Sequence, residues 1–229
     1  GAKLIEQHKY DIVIAGGADS LSRFTLNRFN SLMILDKELC RPFDQNRRGL
    51  NLGEGAAYVV LANDKAMQQL ATQALAVVTG YANANDAHPQ SASSTEGKGN
   101  QQAMKQAMQQ AGIEPSDISY INLHGTGTEN NDASEGAAVQ ALFGNNVPPA
   151  SSTKGFTGHT LGASGSVEAV YAVLSIQNQV ALPHIRLQTP IENLNWQPNT
   201  ELKQMPVEHV LSNSFGFGGN CSSLVISKA

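Results

Sequence analysis

The sequence lacks several features that mark common functional classes. Only 15% of its 229 residues are charged, and the net charge of −4 with a pI of about 5.8 predicts no basic surface for nucleic acid. The longest apolar runs are too short to cross a bilayer, and no charged start precedes an apolar signal segment. The two cysteines, Cys40 and Cys221, have no metal-ligand spacing and form no disulfide framework. These absences favour a globular protein of a reducing, cytoplasmic setting.

The pattern of apolar runs predicts the fold class. At 41% hydrophobic residues, the chain can bury a sizeable core. Unbroken apolar runs predict buried strands, and periodic or capped segments between them predict helices. Strands are predicted at 11–15, 56–61, 75–81, 118–123, 207–214 and 222–228, and helices at about 21–32, 63–71, 100–111 and 132–143. This alternation predicts an α/β layered fold. The chain opens Gly-Ala-Lys inside a predicted helix, so we expect a piece of a longer protein.

The segment 151–165 is predicted to be a polar loop that leads into a buried helix. Thr157 is a candidate N-cap, and apolar residues cover more than one side of a helix from about 158 to 177. This favours a central helical layer, in which the small residues at 162–166 let other backbones come close.

His159 would then lie in the first turn of that helix. The helix end and nearby Lys154 are both positive, so they disfavour the imidazolium. We expect a neutral ring that donates one N–H to a carbonyl oxygen as it becomes an enolate. The alternative is a capping or core histidine.

His124 ends a predicted strand and is followed by Gly-Thr-Gly-Thr. Ligands collect at strand ends in α/β sheets, and the hydroxyls of Thr126 and Thr128 offer hydrogen bonds to a polar ligand. The alternative is a turn with a structural histidine. Asp132 is predicted to cap the next helix, where Glu135 could pair with Lys154 or simply suit the helix start.

Two further loops are candidates for function. Residues 214–219 are glycine-rich, so they could swing a Phe and expose backbone amides, or form a tight hairpin loop. The polar segment 83–99, which contains Asp86-Ala87-His88, could contribute to specificity or be a solvated surface loop.

Together, these motifs resemble those of the β-ketoacyl-acyl carrier protein synthases, thiolase-fold condensing enzymes of fatty acid and polyketide synthesis. The matching motifs are His-Gly-Thr-Gly-Thr (124–128), Ser-Thr-Lys-Gly-Phe-Thr-Gly-His (152–159), Asn-Ser-Phe-Gly-Phe-Gly-Gly (213–219), Arg-Pro-Phe-Asp (41–44), Gly-Glu-Gly-Ala (53–56) and Ala-Gly-Gly-Ala-Asp (15–19). The resemblance implies a thiolase-like αβαβα fold, with residues 1–66 as the end of the N-terminal half and 67–229 as the C-terminal half. It also implies that a sheet edge and an apolar helix layer are exposed.

The resemblance implies a mechanism as well. In the family, a Cys takes up an acyl group, and decarboxylation of malonyl-carrier protein gives the carbanion that attacks it. His124 and His159 match the two histidines that hold the malonyl thioester carbonyl. Lys154 matches the active-site Lys, and Glu135 matches the acidic residue that engages it.

Other matches concern the substrate arm and the partners. Thr126 and Thr128 match the threonines that bind the phosphopantetheine arm of acyl carrier protein. Phe217 matches the gating Phe of the mobile loop, and its backbone amide would form part of the oxyanion hole. Gly218 and Gly219 belong to the same loop. The family implies no bound cofactor or metal, a carrier-protein partner and a homodimer of the full-length protein.

The sequence departs from the family in three places. The nucleophilic Cys is absent, because neither Cys40 nor Cys221 stands in its context, so we expect the isolated chain to be inactive in condensation. Cys221 stands where relatives commonly carry Asn, and Arg48 replaces a common Asp. Two other functions remain open: a non-catalytic partner subunit of the chain-length-factor type, and a hydrolase based on Cys221.

Overall fold

The structure, a computed structural model, describes residues 1–86 and 93–229. The helices are α1 (Ala2–Glu6), α2 (Arg23–Ser31), α3 (Asp64–Leu70), α4 (Lys98–Ala111), α5 (Glu129–Phe143), α6 (Lys154–Thr157) and α7 (Ser164–Asn178). The strands are β1 (Ile12–Asp19), β2 (Gly55–Ala62), β3 (Val77–Asn85), β4 (Tyr120–Asn122), β5 (Ala150–Ser151), β6 (Val180–Ala181), β7 (Lys203–Gln204), β8 (His209–Phe215) and β9 (Asn220–Ser227). Short 3₁₀ turns span Pro115–Asp117, Leu161–Ala163 and Phe217–Gly219.

The strands form two sheets that matter for the site. The larger has the order β3-β9-β8-β4-β5, in which β4 runs parallel to both β5 and β8, whereas β9 is antiparallel to β8 and β3. The smaller is the antiparallel pair β1–β2. A further short pair joins β6 to β7. The predicted pairing of the last two strands is confirmed, and so is the α/β class.

The predicted central helical layer is confirmed as well. Helix α7 packs against β8 and β9 on one side and against β1 and β2 on the other. Its Ala172 and Ile176 form an apolar cluster with Tyr120 and Val210. A second cluster, built around Met104, lies on the opposite face of the larger sheet, where α4 packs.

Strand β1 is longer than predicted. The prediction ended it at residue 15, before two glycines, but both glycines lie inside the strand, which continues to Asp19. Gly16 and Gly17 pair with Tyr58 and Ala57 of β2. A Cβ at Gly17 would overlap the carbonyl oxygen of Gly162, so glycine lets the Leu161–Ala163 turn lie directly on the sheet. The Asp19 carboxylate then accepts a hydrogen bond from the Gly162 N–H at 3.0 Å. The prediction that the small residues at 162–166 let other backbones come close is therefore confirmed at Gly162.

Two predicted helix starts are wrong. The long helix begins at Ser164 and not near 158, because Gly158 adopts φ +68° and the chain makes two short turns first. Thr157 therefore does not cap it. Helix α5 begins at Glu129, with Thr128 at the N-cap position, and Asp132 lies inside its first turn.

The outer face of the β1–β2 sheet carries exposed apolar side chains, as expected. Ile14 and Val60, which are partners in the ladder, are 70% and 66% exposed. Among the described residues, no helix is long and apolar enough to cross a membrane. Residues Ala87 and His88 of the candidate specificity loop lie outside the described part of the chain.

Candidate active site

A cavity of about 690 Å³ opens where the carboxyl end of β4 meets the start of α7. It brings together five of the side chains singled out in the sequence, which are His124, His159, Thr126, Thr128 and Phe217. Four other candidate residues are not part of its lining: Lys154, Glu135, Gly218 and Gly219.

His124 lies directly beyond β4, where the chain is pinned by a buried carboxylate. The Glu135 side chain accepts hydrogen bonds from the His124 N–H at 2.9 Å, the Gly125 N–H at 2.8 Å and Asn213 Nδ2 at 3.1 Å. Burial raises the pKa of Glu135 to about 7, although these three donors act in the opposite direction. Glu135 therefore fixes the backbone that carries the histidine.

Lys154 is fully buried, and its ammonium group has three acceptors. These are the Glu168 carboxylate, the His124 carbonyl oxygen at 2.6 Å and His124 Nδ1 at 3.3 Å. An ammonium has three protons to donate, so all three are used. Burial raises the pKa of Glu168, while the Lys154 charge opposes that shift.

The predicted pairing of Lys154 with Glu135 is therefore wrong, because Glu168 is its partner. Sequence reasoning missed Glu168, although a signal was present. It is the single carboxylate in the otherwise uncharged helix α7, and a buried carboxylate needs a cation or several donors nearby.

His159 lies in the turn between α6 and the Leu161–Ala163 turn, and not in a helix. Its N–H donates to the Asn51 carbonyl at 2.7 Å, and its own carbonyl accepts from the Gly53 N–H at 3.1 Å. The Leu161 N–H donates to His159 Nδ1 at 3.3 Å. A short backbone ladder with 51–53 thus positions the ring.

The predicted neutral state of His159 agrees with its environment, but of the two predicted causes only the Lys154 charge is present, and burial is the larger cause. Burial and then the Lys154 charge lower the pKa of His159 to about 3, and no helix terminus is involved. Burial, Lys154 and His159 likewise lower the pKa of His124 well below its usual value.

The two rings are arranged to donate in concert. Their centroids are 5.2 Å apart and their planes meet at 83°. On each ring Nδ1 accepts a hydrogen bond, from Lys154 or from the Leu161 N–H, so the proton of the neutral ring resides on Nε2. Two Nε2–H donors in a buried setting suit an oxygen that gains negative charge during a reaction.

The threonine wall of the cavity is held by Asp132. Its carboxylate accepts from the backbone N–H groups of Thr126, Gly127 and Phe43 at 2.8–3.2 Å. The Thr126 and Thr128 hydroxyls are hydrogen-bonded to each other at 2.9 Å. The Thr128 N–H also donates to Thr126 Oγ1 at 3.3 Å, so each hydroxyl keeps at least one proton or one lone pair for a ligand in the cavity.

The glycine-rich loop closes the other side. The Phe217 ring is 55% exposed and stacks on Phe29 of α2 with centroids 6.3 Å apart. Asn85 Nδ2 donates to the Gly218 carbonyl at 3.1 Å, and the Asp86 N–H donates to that of Gly219 at 2.7 Å. Gly218 and Gly219 have φ of +79° and +76°, so they shape the loop.

Neither cysteine is placed as a nucleophile. Burial raises the pKa of both thiols, that of Cys221 to about 11. Cys221 Sγ donates to Asn100 Oδ1 at 3.1 Å, and Cys40 Sγ is directed to the Lys154 carbonyl at 3.6 Å. The Cys221 hydrolase is disfavoured because the thiol is protonated and its hydrogen-bond partners are Asn100 and the Gly219 carbonyl.

Family models, a curated relative and solved structures all relate this chain to β-ketoacyl synthases. A family model described as the beta-ketoacyl synthase N-terminal domain matches residues 1–66, and one for the C-terminal domain matches residues 75–188. The 3-oxoacyl-[acyl-carrier-protein] synthase 2 of Staphylococcus aureus (strain COL) is 36% identical over 236 residues, which cover 99% of this chain and 57% of that protein.

Two solved structures extend the comparison. A ketosynthase (ApeO) in complex with its chain length factor (ApeC) from Xenorhabdus doucetiae superposes with a TM-score of 0.91 at 38% identity, covering 100% of this chain and 56% of that one. A type II polyketide acyl-carrier protein in complex with its hexaketide-bound ketosynthase (AntDE:AntF) gives 0.93 at 28% identity, over 99% and 58%. The chain thus spans a little more than half the length of these relatives.

Proposed function

Because this chain belongs to the β-ketoacyl synthase family, we propose that it carries the decarboxylation site of a 3-oxoacyl-[acyl-carrier-protein] synthase. The observation that carries the proposal is the pair of neutral rings, His124 and His159, which share one buried cavity with both Nδ1 atoms occupied. The complete protein would be an acyltransferase that condenses an acyl thioester with malonyl-carrier protein.

The reaction follows from these two donors. The Nε2–H groups of His124 and His159 bind the thioester carbonyl oxygen of a malonyl group. The bond between C2 and the carboxylate breaks, CO₂ leaves, and the electron pair forms an enolate whose oxygen both rings stabilise. In the complete protein, C2 then attacks an acyl thioester held on a cysteine, and the cysteine leaves as thiolate.

Lys154, Glu168 and Glu135 act as positioning residues. The ammonium holds His124 Nδ1 as an acceptor, and Glu168 holds the ammonium. Glu135 fixes the backbone of His124. Because the ammonium can only donate, Nδ1 of His124 must accept, which excludes the neutral tautomer with its proton on Nδ1 and keeps that proton on Nε2.

The malonyl group would arrive on the phosphopantetheine arm of an acyl carrier protein. The Thr126 and Thr128 hydroxyls would bind the arm, while Phe217 would move to admit it and Gly218 and Gly219 would let the loop move. The similar structure that contains an acyl-carrier protein with its ketosynthase supports this partner. A homodimer of the complete protein, with the N-terminal half ending near residue 66 and the C-terminal half running from 67 to 229, is part of the same proposal.

The test is decarboxylation of malonyl-pantetheine by the 229-residue chain itself. We expect CO₂ release and acetyl-pantetheine, since the enolate takes a proton from water. His124→Ala and His159→Ala should each reduce the rate about 100-fold, because each removes one donor to the enolate oxygen. Lys105→Gln, an exposed change on α4, is the matched control.

The same assay separates the alternatives. With an acyl thioester also present, we expect no 3-oxoacyl product from the chain alone, because neither thiol is a thiolate at neutral pH. Decarboxylation no faster than in buffer would overturn the proposal and favour the partner subunit of chain-length-factor type. The intact set of His124, His159 and Lys154 argues against that role.

A further inference from the structure

Arg48 departs from the family pattern, and the proposed site does not use it although it lines the same cavity. It follows Arg47, whose side chain is buried and anchors this segment. The Arg47 guanidinium donates to the carbonyls of Thr128 at 3.4 Å and Glu129 at 2.8 Å. The Gly49 N–H donates to the Gly127 carbonyl at 3.0 Å. Residues 47–49 therefore run beside the threonine wall, and Arg48 lines the cavity.

The guanidinium of Arg48 is free to bind a ligand. Its side chain is exposed, and no hydrogen bond or ion pair joins it to another of the described residues. Among the described residues that line the cavity, Arg48 is the only cation and Glu129 the only carboxylate. Arginine presents a planar fork of donors that matches the oxygens of a phosphate group.

Exposure along the cavity lining fits the groups of the proposed substrate. His124 and Thr126 are buried, His159 and Thr128 are half-buried, and Arg48 is exposed. A phosphopantetheine arm carries its thioester at one end, two amides along its length and a phosphate at the other. The thioester carbonyl at the histidines therefore directs the phosphate outward.

We propose that Arg48 binds the phosphate of the phosphopantetheine arm at the mouth of this cavity. The inference rests on the proposed function, since it places a malonyl arm in the cavity. Glu129 lines the same cavity, so its negative charge limits the attraction, and binding requires direct contact with the guanidinium rather than a general positive potential.

The experiment compares two probes that differ only in the phosphate, phosphopantetheine and pantetheine. Both are titrated into the 229-residue chain by calorimetry. We expect the chain to bind phosphopantetheine more tightly. Arg48→Gln should weaken that binding about tenfold and change pantetheine affinity less than twofold. Arg48→Lys should keep part of the affinity for phosphopantetheine. Glu129→Gln should raise that affinity, because it removes a negative charge from the cavity lining.

Controls and contrary outcomes are distinct. Lys105→Gln on α4 removes one positive charge away from the cavity and should change neither affinity, which controls for net charge. Equal affinity of the chain for both probes, or an equal loss for both in Arg48→Gln, would overturn the role of Arg48 and leave decarboxylation intact. If Arg48→Gln weakens binding of a whole carrier protein but not of phosphopantetheine, the guanidinium contacts the surface of the carrier protein and not the phosphate. Binding of neither probe would overturn this inference, whereas the decarboxylation assay judges the proposed function separately.

Discussion

His124 and His159 lie with their rings 5.2 Å apart in one cavity, yet the chain supports them differently. His124 follows a strand and is held by buried charged groups, with Glu135 on its backbone and Lys154 on its ring. His159 lies in a turn whose contacts are backbone groups of Asn51, Gly53 and Leu161. Both rings are nevertheless neutral donors.

The comparison shows that two rings with the same protonation state can be oriented in different ways. Burial and then the Lys154 charge lower the pKa of both His124 and His159. His124 Nδ1 receives its hydrogen bond from the ammonium itself, whereas His159 Nδ1 receives one from the Leu161 N–H. Changes of charge should therefore disturb the first histidine most, and changes of backbone packing the second.

Removing the buried ammonium should have the largest effect. Lys154→Met leaves the Glu168 carboxylate buried without its cation, so we expect the free energy of unfolding to fall by about 3–5 kcal/mol in urea titrations. The double variant Lys154→Met/Glu168→Leu should recover part of this, because no unpaired charge remains. Lys105→Met, which is exposed, should cost less than about 0.5 kcal/mol. Similar losses at both lysines would show that the buried pair is not what supports His124.

Glu135 should make stability depend on pH. Its pKa is about 7 in the folded chain against 4.5 when exposed, so the folded state keeps a proton that the unfolded state loses. Between these values the carboxyl lowers the free energy of unfolding as pH rises, by about 3 kcal/mol in total. The histidines, whose pKa values are lowered, make the free energy of unfolding change with pH in the opposite direction, and they do so equally in the native chain and in a Glu135 variant.

The Glu135→Gln variant isolates this effect. The unfolding free energy of the native chain minus that of the variant should decrease from pH 4.5 to 7 and be constant above that range. Parallel pH curves for the two proteins would contradict the raised pKa of Glu135.

A single methyl group near the His159 turn should have a moderate effect. A Cβ at Gly53 would overlap the Thr157 carbonyl oxygen, so Gly53→Ala must displace the turn. We expect a loss of about 1–3 kcal/mol in unfolding and slower decarboxylation of malonyl-pantetheine. At Gly55 the same methyl makes ordinary contacts with Thr160 Cγ2 at 3.5 Å and Val167 Cγ2 at 4.0 Å, which makes Gly55→Ala the matched control. Equal effects at the two glycines would remove the distinction between the supports of the two histidines.

The smallest expected effect is in the pH titration of the two histidine rings, which should remain neutral. With the pKa of His159 near 3 and that of His124 well below 6.5, neither ring should show the Cε1–H shift change of a protonating imidazole between pH 5 and 8. Titration of Glu135 should cause only a small displacement at His124. Free histidine in the same sample titrates near 6.5 and reports the pH. In a folded Lys154 variant, the His124 signal should move more than that of His159. Titration of either ring in this range would contradict the neutral donor pair.

Much of the fold was predictable because local patterns decide it. The helix predicted at 63–71 is present, and its first turn is capped by Asn63, whose side chain accepts from the Ala66 N–H at 2.9 Å. Apolar residues around helix α7 predicted a helix between sheets, which it is. The start of that helix was wrong, since Gly158 and the ladder to 51–53 stop a helix that local propensity allows.

The candidate site was predictable in its membership and less so in its contacts. His124, His159, Thr126 and Thr128 follow or precede recognisable turns, and the motif order led to a family that the comparisons confirm. Phe29 was missed because its stacking on Phe217 joins helix α2 to a loop far along the chain.

The sequence by itself determined the layered α/β class and the family, and it singled out the two candidate histidines, because these depend on periodicity, glycine placement and short motifs. Only the tertiary structure decided that Lys154 pairs with Glu168 and not Glu135, since spacing along a chain does not say which carboxylate packs against an ammonium. It also decided why His159 is neutral. Burial is the main cause, and burial exists only once distant segments have packed around the ring.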